Sequence, residues 1–194
     1  MSLLSSSLLV SLLALGAQPS DDFAPPCEKA PYTQFDMWVG EWVAFDWETG
    51  VVQGIDRIRK INNDCVIHQE WQQMTDRYRT AGAPYRYGGI SFSYPLPGGG
   101  WKQVWLGNGG WPIELTGKLD EDGVMTLSTA EFDTPDGKIG KRTWRWARQE
   151  DGSLHSWGEF VSKDPEGEWS APQIVWNLRY VRHADAPELG AVSQ

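Results

Sequence analysis

Acid–base chemistry needs a titratable side chain in a dry site, and metal or haem chemistry needs ligands at workable spacing. The chain offers three histidines, His68, His155 and His183, in three separate segments with no metal-ligand spacing between them. No metal site and no bound cofactor is expected on that count. His155 shares a period-two phase with Trp157 and Glu159. Were that phase to face a protein interior, His155 is the one histidine that would point inward. Glu159 or Glu131 is then the carboxyl placed to act as acid or base, opposite Arg145 or His155. The plain alternative for each is a solvent-facing side chain, the usual fate of isolated charged residues. Nucleophilic catalysis has no support, because no Gly-x-Ser-x-Gly element occurs. Gly98-Gly99-Gly100 precedes a strand-like run instead of a helix, so it reads as a hairpin turn and not as a phosphate cradle. Cys27 and Cys65 are the only cysteines. In an oxidising compartment they form one disulfide, worth roughly 4 kcal/mol in the chain-entropy model; two separate buried thiols are the alternative.

The elements that must position these residues are strands. Twelve tryptophans are spread over 194 residues, mostly in short runs that alternate apolar and polar residues between Gly, Pro and Asp turns. Successive side chains of a strand point to opposite faces, so such alternation marks strands with one wet and one dry side. Ten runs follow this rule, at about 41–47, 51–61, 65–74, 87–94, 101–107, 112–119, 124–132, 138–148, 153–162 and 173–182. No long helix intervenes. The expectation is an all-β chain forming a single antiparallel up-and-down barrel of about ten strands, since closing the meander removes its exposed edges.

Charge and termini narrow the function classes. With 26 acidic and 17 basic residues and a net charge of −9, nucleic acid is excluded as a partner, because phosphate binding relies on clustered Lys and Arg. Residues 1–17 are uncharged and apolar with a small-residue exit, Ala14-Leu15-Gly16-Ala17. They read as a signal peptide that is too short to span a membrane, which implies a periplasmic or secreted protein. The remaining organisation is a Pro-rich extension over 18–36, a barrel over 37–183 and a flexible tail over 184–194.

Loop lengths orient the barrel. Alternate connections share an end, and 62–64, 95–100, 120–123 and 150–152 are compact turns, so that end is closed. Long connections at 75–86, 108–111, 133–137 and 163–172 gather at the other end, the expected mouth. Tyr78, Tyr85, Trp111 and Trp169 are its aromatic candidates. A Cys27–Cys65 bridge would draw the extension across the floor as a plug.

The segment Phe35-Asp36-Met37-Trp38-Val39-Gly40-Glu41-Trp42 carries the Gly-x-Trp element that opens lipocalin and related calycin barrels. Together with Cys65 to Trp71, Trp101-Lys102-Gln103-Val104-Trp105 and Tyr180-Val181-Arg182, it resembles a family of uncharacterised bacterial lipocalin-like proteins. The resemblance spans roughly residues 35–183. It implies that Trp42 packs at the closed end against Arg182 from the last strand, in a structural cation–π contact. Extending that phase places Trp176, Leu178 and Tyr180 inside. Carried strand by strand, it adds Ile67, Gln69 and Trp71, then Ile90 and Phe92, then Gln103 and Trp105. Ile113, Leu115, Met125, Leu127, Trp144 and Trp146 complete the lumen.

Aromatic and aliphatic walls with two amides suit a small hydrophobic ligand fixed by a few hydrogen bonds, and a barrel filled by its own side chains is the competing picture. The favoured reading is an exported lipocalin-like protein that binds or carries such a molecule in the barrel. The alternatives are an isomerase, lyase or hydrolase acting on a small apolar substrate in the same pocket, a haem-binding barrel, and an interaction module working through its aromatic rim.

Overall fold

The computed structural model describes residues 26–76 and 85–186. The expected signal segment, the extension before residue 26, the tail after residue 186 and Tyr78 lie outside the described residues. The strands are β1 (Gly40–Asp46), β2 (Val52–Ile61), β3 (Val66–Gln73), β4 (Gly88–Pro95), β5 (Trp101–Gly107), β6 (Ile113–Leu119), β7 (Val124–Ser128), β8 (Phe132–Asp133), β9 (Ile139–Arg148), β10 (Leu154–Lys163) and β11 (Gln173–Arg182). Each pairs antiparallel with its neighbour, and β11 returns to β1 through Trp42↔Arg182 and Ala44↔Tyr180, which closes the barrel.

Ten positions surround the axis, because β7 and β8 are two pieces of one run laid along β9. Thr129 bridges the gap between them. Its backbone N–H donates to the Arg142 carbonyl, and its hydroxyl accepts the Arg142 N–H at 3.1 Å where a backbone carbonyl would otherwise serve.

The floor is built as a plug. Cys27 is bonded to Cys65 across a sequence separation of 38, with Cα atoms 4.9 Å apart. Beside it the tight turn Asn62-Asn63-Asp64 runs through three consecutive left-handed residues, a conformation Asn and Asp tolerate better than other side chains. The chain after Cys27 drops Phe35 and Trp38, both fully buried, into the barrel end. Phe35 stacks on Trp38 at 4.9 Å and meets Trp101 and Trp146 edge-on at 5.7 and 5.1 Å. Lys60 holds Asp36 at 3.1 Å, and the Trp101 indole donates to Gln34.

Trp42 and Arg182 meet as the resemblance implied. The guanidinium carbon lies 3.8 Å from the Trp42 ring and Nη1 donates to the Val39 carbonyl at 2.8 Å. Gly40, at φ +146°, is required beneath it, since a Cβ there would run into that guanidinium.

One strand carries a different phase from the expected one, and on a second the structure fixes a phase that the sequence left open. On β4, Ser91 and Ser93 are fully buried inside, while Ile90 is 36% exposed and Phe92 packs on the outer face against His68 at 5.1 Å. Phe92 and Ile90 therefore do not belong to the lumen. On β10, Leu154 and Ser156 point inward, and His155, Trp157 and Glu159 occupy the outer face. The cause is the same in both strands. The inner positions of these two strands lie opposite large indoles and are small: Ser91 is opposite Trp105, and Gly158 is opposite both Trp144 and Trp176.

Candidate functional site

The floor half of the lumen is solid, filled by Ile67, Leu115, Met125 and Leu127 above the aromatic plug, with Gln103 buried among them. The mouth half is not. A cavity of about 110 Å³ lies there, several times the roughly 10–15 Å³ that one water requires. Of the expected lumen residues, Trp71, Trp105, Trp144, Trp146 and Trp176 form its aromatic wall, and Gln69 and Tyr180 line its deeper side. Sequence reasoning missed Gln53, Gln73, Tyr87 and Ser156, which also face it.

The rings stay against the wall because glycines lie under them. A Cβ added at Gly54 would stand within 2.6 Å of the Trp71 ring, one at Gly89 as close to Trp105, and one at Gly158 as close to Trp176. No larger residue fits there without pushing an indole inward. Trp144 then meets Trp176 and Trp105 edge-on at 5.1 and 6.4 Å, closing a box of ring faces. A β-bulge shapes the rim. The pairing of β1 with β2 skips a residue between Ala44↔Gly54 and Phe45↔Val52, and the extra residue, Gln53, is turned to the cavity. It joins Gln73 and Thr75 in a hydrogen-bonded cluster, to which the Trp71 indole donates at 3.3 Å. On the opposite rim the Trp105 indole donates to the Tyr87 hydroxyl at 2.9 Å.

Behind the deeper wall runs a chain of directed hydrogen bonds. Gln103 Nε2 donates to Ser91 Oγ at 3.1 Å, Ser91 donates to Gln69 Oε1 at 2.7 Å, and Gln69 Nε2 donates to Asp56 Oδ2 at 2.8 Å. Tyr180 reaches the same Oδ2 across β1 at 3.1 Å. The strand between them places only Ala44 opposite Tyr180, which leaves that path open. Asp56 is fully buried, its Oδ1 has no partner, and burial pushes its carboxyl up to about 7 against the pull of the Gln69 and Tyr180 bonds. The Tyr180 phenol is driven well above its usual range, by burial first and by the Asp56 charge second. The inward carboxyl of this barrel is thus Asp56 on β2, and not Glu159 or Glu131. Glu159 is ion-paired to Arg145 on the outside of the barrel, and Glu131 lies near Lys163 at 3.7 Å.

His155 is not a ligand of the lumen either. It sits on the outer wall between Trp47 and Trp157, at ring distances of 4.1 and 4.3 Å, with Nε2 2.6 Å from Asn177 Oδ1. The haem reading loses the one histidine it invoked. His68 is also outward, and its pKa is lowered by burial and by Arg59, partly offset by Glu70. Among the described residues no group of three or more His, Cys, Asp or Glu is arranged to hold a metal ion.

At the mouth, Trp111 stands 90% exposed instead of folding under its own loop, and Tyr85 is 55% exposed. Trp169 is 38% exposed, with Lys163 Nζ 4.7 Å from its ring. No helix among the described residues is long and apolar enough to cross a membrane. No family model matches the chain and no curated protein matches it, so its function has to be read from this geometry.

Proposed function

We propose that the protein is an exported, lipocalin-like barrel that binds or carries a small hydrophobic molecule in the periplasm or outside the cell. The observation that carries this reading is the cavity walled by five indoles, three of which lie over glycines that keep their rings out of the lumen. A barrel built only to be filled has no use for glycine at those positions; the missing side chains leave space that costs packing energy unless something occupies it. The Cys27–Cys65 disulfide supports an oxidising compartment. A binding role fits better than catalysis, because Asp56 is separated from the cavity by Gln69 and Tyr180, while Arg145 and His155 lie on the outer face.

Native mass spectrometry of the protein purified from its own host tests the reading. A stoichiometric adduct, lost on denaturation, is the expected result. A bare chain mass, together with tryptophan emission that neutral aromatic probes leave unchanged, would overturn it and leave the exposed rim of Trp111 and Trp169 as the working surface.

A further inference from the structure

Resting on the reading of the cavity as a binding site, we infer that its occupant is an organic cation, an ammonium-type centre on a compact apolar body, caged by Trp71, Trp105, Trp144 and Trp176, with the Asp56 carboxylate as a counter-charge one side chain behind the wall, reached through Gln69 and Tyr180.

Three observations converge on that class. The first is the wall itself. Among the described residues it contains no Lys, Arg or His and it carries five indoles, whose ring faces have negative quadrupoles that attract cations most strongly when water is excluded. The second is the hydrogen-bond chain. Gln103, Ser91 and Gln69 each donate in the direction of Asp56, and Tyr180 donates to it from the other side. These bonds favour a negative charge at Asp56 against the burial that opposes it, yet among the described residues that charge has no cationic partner and Oδ1 accepts from nothing. Buried carboxylates are ordinarily paired.

The third observation is that, among the described residues, the cations flanking Asp56 at the floor are already committed. Asp56 is flanked by Trp42 on β1 and by Trp71 on β3, with Gln69 and Tyr180 completing its surroundings. Of these only Tyr180 titrates. At the floor, Lys60 is tied to Asp36, and Arg182 to the Trp42 ring and the Val39 carbonyl. A ligand cation supplies the charge the protein withholds. Toward the mouth, Arg142 precedes Trp144 by two residues on β9 and lies over the Phe132 ring at 4.4 Å. It sets the polarity of the site, with the cationic centre innermost and any anionic group of the ligand outermost.

The charge state of Asp56 then links binding to pH. With its carboxyl near 7 in the empty protein, a cation binds the ionised form better and releases a proton on entry. Affinity for the cation rises with pH through that value, and affinity for a neutral ligand does not.

The test uses intrinsic tryptophan emission of the full protein titrated with three probes of one size class: phenyltrimethylammonium, its neutral carbon isostere tert-butylbenzene, and phenylacetate. The expected result at pH 8 is a cation preference of about tenfold over the neutral isostere, the scale of one desolvated cation–π contact. Asp56→Asn should reduce that preference and remove its dependence on pH without weakening tert-butylbenzene. Should the variant fail to fold, the wild type at pH 6 and pH 8 gives the same information, since only the cation should gain on raising the pH. Equal or tighter binding of tert-butylbenzene would overturn the cation class and leave the hydrophobic-pocket reading standing. Tighter binding of phenylacetate would overturn it in favour of Arg142 as the recognition group. If neither phenyltrimethylammonium nor tert-butylbenzene binds, the cation class is overturned, and the native adduct decides separately whether the cavity is a site at all.

Discussion

Asp56 makes the stability of this barrel depend on pH in a direction opposite to that of most carboxylates. A carboxyl pulled down by an ion pair stabilises the fold as pH rises; Asp56 is pushed up from 3.8 to about 7 by burial. In that window the folded state holds a proton that the unfolded chain has released, so stability falls as pH rises from about 4 and the loss is complete above about 7. At about 1.4 kcal/mol per pH unit between the two values, the penalty reaches about 4 kcal/mol. Asp56→Asn removes the titration while keeping the geometry. Its amide oxygen can accept from Gln69 and Tyr180 as Oδ2 does, and its amide nitrogen falls where Oδ1 has no partner. That unsatisfied nitrogen costs about 1–3 kcal/mol at every pH, so the test is the slope and not the offset. Urea unfolding of both proteins at pH 5 and pH 8 should show the variant gaining about 2–3 kcal/mol on the wild type between the two. A difference that stays constant across that range would refute the buried, base-free placement of Asp56.

Three further outcomes follow from the packing. Reducing Cys27–Cys65, or replacing both by serine, should remove about 4 kcal/mol from the loop-closure term and lower Tm by about 10 °C, read by calorimetry; an unchanged Tm would mean that Phe35 and Trp38 hold the plug alone. Gly158→Leu should drive the Trp176 ring into the cavity, abolish the native adduct and leave β-sheet circular dichroism intact, whereas retained binding would show that the glycines do not keep the lumen open. Phe92→Ala, on the outer wall, should bring the depressed pKa of His68 back toward its ordinary value, followed by its ring resonances in NMR. Because the buried histidine resists protonation, its contribution to stability is present above its ordinary pKa and lost as pH falls through the lowered one, a loss the variant should lessen.

The barrel was legible because tryptophan alternation is a strong period-two signal, and the last strand was legible in full, since Trp176, Leu178 and Tyr180 are large and apolar where they face inward. The rest was hidden by the rule that made these strands readable. A lumen lined with indoles has little room left, and on β4 and β10 the residues set opposite them are glycine and serine. Those residues look like an outer face. On β4 this inverts the reading, with Ile90 and Phe92 drawing attention while Ser91 and Ser93 occupy the interior; on β10 Trp157 and His155 compete with Ser156 and Gly158, which left the phase open in the sequence. Asp56 escaped for a related reason. Its strand mixes charged and apolar residues on both faces, and only the positions of Trp42 and Trp71 on either side reveal which face is buried. The two ends of this barrel differ in what lies against the indoles. Trp38 and Trp146 pack on Phe35 and on each other at the floor side, whereas Trp71, Trp105 and Trp176 lie over Gly54, Gly89 and Gly158 toward the mouth, which puts the working space of the protein in its upper half.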